Sequence, residues 1–165
     1  YEGPVYLRFG RPVVPIFTQA DQNFEIGKAW IVNEGVDVSI FATGHLVWEA
    51  ILAAEQLAGM GIDAEIINIH TIKPLDEEAI LRSVAKTRCV VSCEEHNRIG
   101  GLGDSIAQLL IQHDPVPMQY VAVNDSFGES GKPAELMKKY GLDAAHIVKA
   151  AQKVMSASKR KLVMA

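Results

Sequence analysis

The sequence predicts an α/β protein in which helices cover both faces of a parallel sheet. Short apolar segments alternate with segments whose apolar residues recur at helical spacing, which is typical of strands joined by crossover helices. The predicted inner strands are apolar along nearly their whole length, so we expect both faces of the sheet to be buried. With 165 residues, 48% of them hydrophobic, the chain can bury one full domain core but not two ordinary ones.

The predicted strands are short, rich in β-branched residues and bounded by turn residues. In order, they cover residues 36–42, 63–69, 89–93 and 118–123, with residues 27–33 (GKAWIVN) as an additional edge strand. The run over 4–12 reads as an isolated strand, and a strand without a partner of its own usually belongs to a neighbouring sheet. We therefore expect residues 1–22 to be the last strand and linker of a preceding domain, and residues 23–165 to form the domain itself.

The predicted helices lie between these strands and after the last one. They cover residues 46–60, 77–86 and 102–112, followed by two shorter patterns between 132 and 155. Gly61 stops the first helix, Asp76 is placed to cap the second, and Gly141 separates the two C-terminal patterns. We expect the helical tail to pack against the sheet or against a partner.

Charge and cysteine content exclude several classes of function. The 20 acidic and 16 basic residues give a net charge of −4, which offers no basic field for nucleic acid. No apolar run approaches the roughly 20 residues of a membrane helix. Cys89 and Cys93, four residues apart on a strand, would be separated by about 13 Å, well beyond the roughly 7 Å that a disulfide allows. We expect two buried thiols and a cytoplasmic location.

The segment after the third core strand carries most of the candidate site. Glu94, Glu95 and His96 could supply a general acid/base pair, and the glycines Gly100, Gly101 and Gly103 open a helix whose free N–H groups could bind an anion. The alternative is structural: these side chains cap that helix or contact a neighbouring domain. A dinucleotide fingerprint would need a further glycine where Ile106 stands, so it fails.

Two arginines near the N-terminus could grip a phosphate. Arg8 and Arg11 flank Phe9-Gly10, and a guanidinium beside a glycine suits bidentate phosphate contact, although surface ion pairing is the alternative. The sequence has no G-x-S-x-G, no P-loop, no G-D-G motif followed by Asn, and no His/Cys metal-ligand spacing. The chain therefore lacks a catalytic apparatus of its own.

Taken together, these segments resemble the C-terminal part of transketolase, over essentially the whole chain. The matching segments are GPVYLRFGRP (3–12), IFATGHLVWEAILAAEQL (40–57), NIHTIKPLD (68–76) and CEEHNRIGGLGDSIAQLL (93–110). Each is shared, with variations, by deoxyxylulose-phosphate synthases and by the β subunits of 2-oxoacid dehydrogenases. The segment FGESGKPAEL (127–136), followed by YGL (140–142), resembles transketolase in particular.

The resemblance implies a three-layer α/β/α domain with a mostly parallel, mixed five-stranded sheet that has one antiparallel strand. It implies an enzyme of the pentose phosphate pathway that moves a two-carbon ketol unit between phosphorylated sugars. Thiamine diphosphate and Mg²⁺ would be bound by the missing diphosphate- and pyrimidine-binding domains or subunit, and this domain would support assembly of a homodimer. Arg11 matches the family's substrate-phosphate arginine best, ahead of Arg8, and the isolated chain is expected to be inactive.

Two alternatives remain open at this point. The chain could be the corresponding domain of a deoxyxylulose-phosphate synthase or of a 2-oxoacid dehydrogenase β subunit. It could instead be a regulatory module that binds an anion in the crevice around residues 94–103, because glycines and a helix start lie there.

Overall fold

A computed structural model describes residues 1–10 and 13–163, with side chains described through residue 158. The five strands are β1 (Trp30–Asn33), β2 (Val38–Ala42), β3 (Ala64–Asn68), β4 (Val90–Asn97) and β5 (Met118–Val123). The five helices are α1 (Leu46–Ala58), α2 (Glu77–Thr87), α3 (Leu102–His113), α4 (Pro133–Lys139) and α5 (Ala144–Val163). The order of strands and helices confirms the predicted α/β class.

The strands form one mixed sheet in the order β1-β3-β2-β4-β5. β2, β3, β4 and β5 are parallel, whereas β1 pairs antiparallel with β3, so the predicted edge strand is the antiparallel one. Because β2 and β4 are neighbours whose connections run to opposite sides of the sheet, a topological switch point lies between their carboxyl ends. In open α/β sheets, a crevice forms at such a point.

Two apolar cores lie on opposite faces of the sheet and produce three layers. Side chains of α1 and α5 pack on one face around Ile40, Ile66 and Val91. Side chains of α2 and α3 pack on the other face around Phe41 and Ile67. Ile40 and Phe41 are consecutive residues that enter different cores, as the alternation of side chains along a strand requires.

A polar network is buried between β2, β3 and α2. The Glu65 carboxylate, 2% exposed, accepts hydrogen bonds from Ser83 Oγ and from Lys86 Nζ, the latter at 2.7 Å. Ser39 Oγ lies 2.6 Å from both Ser83 Oγ and Thr87 Oγ1. The carboxylate is therefore paired and hydrogen-bonded, as a buried charge must be. The network lies near the amino ends of the strands, away from the switch point.

One predicted helix boundary is confirmed and another is wrong. Asp76 Oδ1 accepts a hydrogen bond from Ala79 N at 3.1 Å, which confirms the predicted cap of α2. The last helix continues to Val163, so the predicted end near Met155 is wrong. The residues after Met155 include no glycine or proline to break the helix, and alanine, lysine and arginine are good helix formers.

The N-terminal segment lies outside the sheet, and its assignment to the sheet of a neighbouring domain stays a prediction. Residues 1–10 form no strand, because a strand needs a ladder partner and no strand of this sheet pairs with them. Several of their apolar side chains are exposed, including Tyr6 at 88% and Phe9 at 83%. Over the described part of the chain, no helix has both the length and the apolar character needed to cross a bilayer.

Candidate functional site at the switch point

Successive side chains at the end of β4 point in different directions, so the predicted acid/base trio is not assembled. Glu94 is 2% exposed and turns toward α3, whereas Glu95 turns toward the loop after β2. The Nδ1 atom of His96 lies 2.8 Å from the carbonyl oxygen of Asn97. The reason is the alternation of side chains along a strand, which separates neighbours in the sequence.

Glu94 caps α3 from inside the fold. Its two carboxylate oxygens accept hydrogen bonds from Leu102 N at 2.7 Å and Gly103 N at 2.9 Å. A Cβ atom built at Gly101 would lie 2.2 Å from the same carboxylate, so only glycine permits this approach. The helix N-terminus that could have bound an external anion therefore holds the chain's own carboxylate.

The glycine-rich turn before α3 is held by polar side chains from β4, from α3 and from the segment after β5. Gly100 has a φ of +78°, which favours glycine, and its N–H donates to Asp104 Oδ2 at 2.7 Å. Asn97 accepts from Ile99 N at 2.9 Å and donates to Asp125 at 3.0 Å. The chain's own polar groups therefore fix the shape of this turn.

Glu95 and His45 meet across the switch point. Thr43 N donates to the carbonyl of Cys93 at 3.1 Å, so β2 and β4 stay paired up to the crevice. Gly44, with a φ of +59°, turns the chain after β2 and sets His45 at the start of α1. His45 Nδ1 then lies 2.7 Å from Glu95 Oε2. We did not predict this pair, although His45 follows a strand end in the sequence.

The N-terminal segment contacts both residues of this pair. The Arg8 guanidinium donates to the carbonyl oxygen of Glu95 at 2.9 Å. The backbone at Gly10 passes so near His45 that a Cβ there would lie 2.2 Å from the imidazole Cε1 and Nε2 atoms. Arg11, the predicted substrate-phosphate residue, lies outside the described residues.

The two cysteines and possible metal-binding groups are the remaining features to be placed in the structure. Cys89 and Cys93 are buried free thiols, as predicted. Burial, aided by the negative charge of Asp37, raises the pKa of the Cys89 thiol to about 11. Burial also raises the pKa of Cys93, with Glu94 as a smaller cause. Within residues 1–10 and 13–158, no three His, Cys, Asp or Glu side chains come together in a group that could hold a metal ion.

The chain is similar to proteins of one family. Residues 27–147 match the family described as transketolase, C-terminal domain. The chain is 52% identical to the 6-deoxy-6-sulfo-D-fructose transketolase subunit SqwH of Clostridium sp. (strain MSTE9), over 93% of this chain and 48% of that protein. It is 37% identical to a 1-deoxy-D-xylulose-5-phosphate synthase of Pelotomaculum thermopropionicum, over 91% of this chain and 24% of that protein.

A solved structure gives the same result in three dimensions. A protein described as a split gene transketolase, inactive beta4 tetramer, superposes with a TM-score of 0.85 and is 41% identical, over 88% of this chain and 48% of that one. The chain thus spans about half the length of these subunits. The three-layer arrangement with one antiparallel strand agrees with the family fold, and the chain belongs to the transketolase C-terminal domain family.

Proposed function

We propose that this chain is the C-terminal domain of a transketolase-type enzyme and that it supports the assembly of that enzyme. The enzyme transfers a two-carbon ketol unit between sugars that carry a terminal anion. Thiamine diphosphate, bound with Mg²⁺ by the diphosphate- and pyrimidine-binding domains, supplies the carbanion chemistry. The observation that carries the proposal is the match to the family over 27–147, together with a switch point filled by the chain's own side chains.

The exposed N-terminal segment supports an assembly role. Tyr6, Leu7 and Phe9 are each at least 75% exposed, and apolar side chains grouped in this way usually mark an interaction surface. We propose that residues 1–22 are the last strand and linker of the pyrimidine-binding domain and that residues 23–165 form the assembly domain. In the complete protein, which we propose to be a homodimer in the cytoplasm, the neighbouring domain would cover these side chains.

Substrate contact in the complete enzyme is assigned to the arginine-bearing segment. We propose Arg11 as the residue that binds the anion of the sugar, with Arg8 as the alternative. Among the described residues, the Arg8 guanidinium donates one hydrogen bond, to the Glu95 carbonyl, and a guanidinium carries five N–H donors. In the complete enzyme, R11A is expected to raise KM for phosphorylated sugars with little change in kcat, and R8A is the matched comparison. An unchanged KM in R11A contradicts the assignment.

The nature of the anion has a second candidate. The relative that is 52% identical is named for a 6-deoxy-6-sulfo sugar, and a sulfonate offers an arginine the same tetrahedral oxygens as a phosphate with less negative charge. Comparing kcat/KM of the complete enzyme for fructose 6-phosphate and for 6-deoxy-6-sulfofructose distinguishes the two. We propose the phosphate, and a preference for the sulfonate would replace it.

Two other classes of function make different predictions. A deoxyxylulose-phosphate synthase would condense pyruvate with glyceraldehyde 3-phosphate. Under the proposed ketol transfer, the complete enzyme should show no turnover with that pair, and turnover would favour the synthase. A regulatory anion-binding module would bind ligands without other domains. Because Glu94 fills the N-terminus of α3, we expect calorimetry of the isolated chain with nucleotides and sugar phosphates to show no heat of binding. Saturable binding at this loop would favour the module.

A further inference from the structure

The backbone of the N-terminal segment lies directly against one imidazole ring. A Cβ at Gly10 would lie 2.2 Å from two atoms of the His45 ring, much closer than real Cβ contacts. Only a glycine lets the chain follow this path, because it lacks the Cβ atom. The contact joins two distant parts of the chain, since the ring lies at the start of α1 and the glycine lies outside the sheet.

The ring is itself held in place. The His45 side chain is 17% exposed, and its Nδ1 atom lies 2.7 Å from Glu95 Oε2. Glu95 also contacts the segment, since its carbonyl oxygen accepts the hydrogen bond from Arg8 at 2.9 Å. The two residues that meet at the switch point therefore hold the segment at two places, Arg8 and Gly10.

We propose that His45 and Glu95 form a clamp that holds residues 8–10 in the switch-point crevice and so positions the arginine-bearing segment for substrate binding. His45 acts as a positioning residue, because it touches the segment and not the reacting atoms. The second half of this inference rests on the proposed function, in which an arginine of this segment binds the sugar's anion. The first half, the clamp, concerns contacts within this chain alone.

Tryptic cleavage after Arg8 tests the clamp without any enzyme activity. Trypsin must extend the chain and take up the Arg8 side chain, so a held segment is cut slowly. We expect H45A to increase the rate at which the peptide 1–8 is released by about tenfold, which is the change that the loss of one modest interaction produces. Mass spectrometry measures the release of the peptide. The control is H113A, an exposed histidine at the end of α3, which should match the wild type.

A double-mutant cycle shows whether the ring and the glycine act through each other. G10A should speed cleavage in the wild type, because the added methyl group cannot coexist with the His45 ring. In the H45A background the space is free, so G10A should have no further effect. Additive effects, or an unchanged rate in H45A, overturn the clamp. Circular dichroism of each variant checks that the fold is intact.

Kinetics of the complete enzyme test the positioning role. We expect H45A to raise KM for the phosphorylated sugar by about tenfold while kcat and the KM for an unphosphorylated sugar stay within twofold of the wild type. H45N, whose amide can still donate to Glu95, should recover part of the loss. Faster proteolysis with an unchanged KM overturns the positioning role. If the wild-type complete enzyme shows no ketol transfer, the proposed function fails, and proteolysis still decides the clamp.

Discussion

Replacing Glu94 with glutamine should destabilise the domain far more than the same change at the next residue. Glu94 Oε2 and Oε1 accept from Leu102 N at 2.7 Å and from Gly103 N at 2.9 Å in a site that is 2% exposed. Glutamine keeps one acceptor oxygen but turns an NH₂ donor toward the other N–H. One charge-assisted bond is lost, and two donors face each other inside the fold.

The expected size of this effect follows from the lost interactions. A hydrogen bond to a charged group contributes about 1.5–3 kcal/mol, and a negative charge at a partly buried helix N-terminus adds up to about 2 kcal/mol. We therefore expect E94Q to lower the free energy of unfolding by about 3 kcal/mol. For a domain of this size, that corresponds to a loss of roughly 6–12 °C in Tm.

Equilibrium unfolding in urea measures the difference, provided that the slope of the transition is unchanged. E95Q is the matched control, because the Glu95 side chain is 47% exposed and its pairing with His45 should contribute less than about 1 kcal/mol. If E94Q unfolds within about 0.5 kcal/mol of the wild type, the carboxylate is not the cap that orders the glycine-rich turn.

Two further predictions concern the interior. G103A should cost about 2 kcal/mol, because its Cβ would lie 2.4 Å from the Tyr120 ring, whereas G128A, in open space, should be neutral in the same urea titration. At about pH 8, iodoacetamide should alkylate Cys89 and Cys93 only after unfolding, because the raised pKa of each keeps the thiol neutral in the fold. The stability that Cys89 gains from staying neutral is full below the ordinary thiol pKa of 9.0 and is lost as pH rises through about 11; native alkylation near neutral pH would contradict this.

Local sequence patterns predict most of the strands and helices of the fold. The buried strands are nearly continuous apolar runs, and the position of Asp76 directly before a helical pattern predicts that it caps the helix. The sequence of residues 27–33 does not predict the direction of β1, because an edge strand has the same composition in either orientation. Only the family resemblance implies an antiparallel strand.

The site was harder to predict, because its contacts join residues far apart in the sequence. His45 and Glu95 meet only because β2 and β4 are neighbours, an arrangement set by the crossing of α2 over β2. The different fates of Glu94 and Glu95 follow from side-chain alternation, but which of them faces inward depends on register. Gly10 lies beside the arginines in the sequence, but its role depends on a ring that comes from another part of the chain.

The most direct test of an assembly role is ketol transfer from xylulose 5-phosphate to ribose 5-phosphate, with thiamine diphosphate and Mg²⁺ present. It is measured for this chain alone, for the complete enzyme, and for the enzyme without this domain, with the oligomeric state of each determined by analytical ultracentrifugation. We expect turnover only from the complete enzyme, and loss of both activity and assembly when the domain is removed. Turnover by this chain alone, or full activity and unchanged assembly without it, would contradict the proposal.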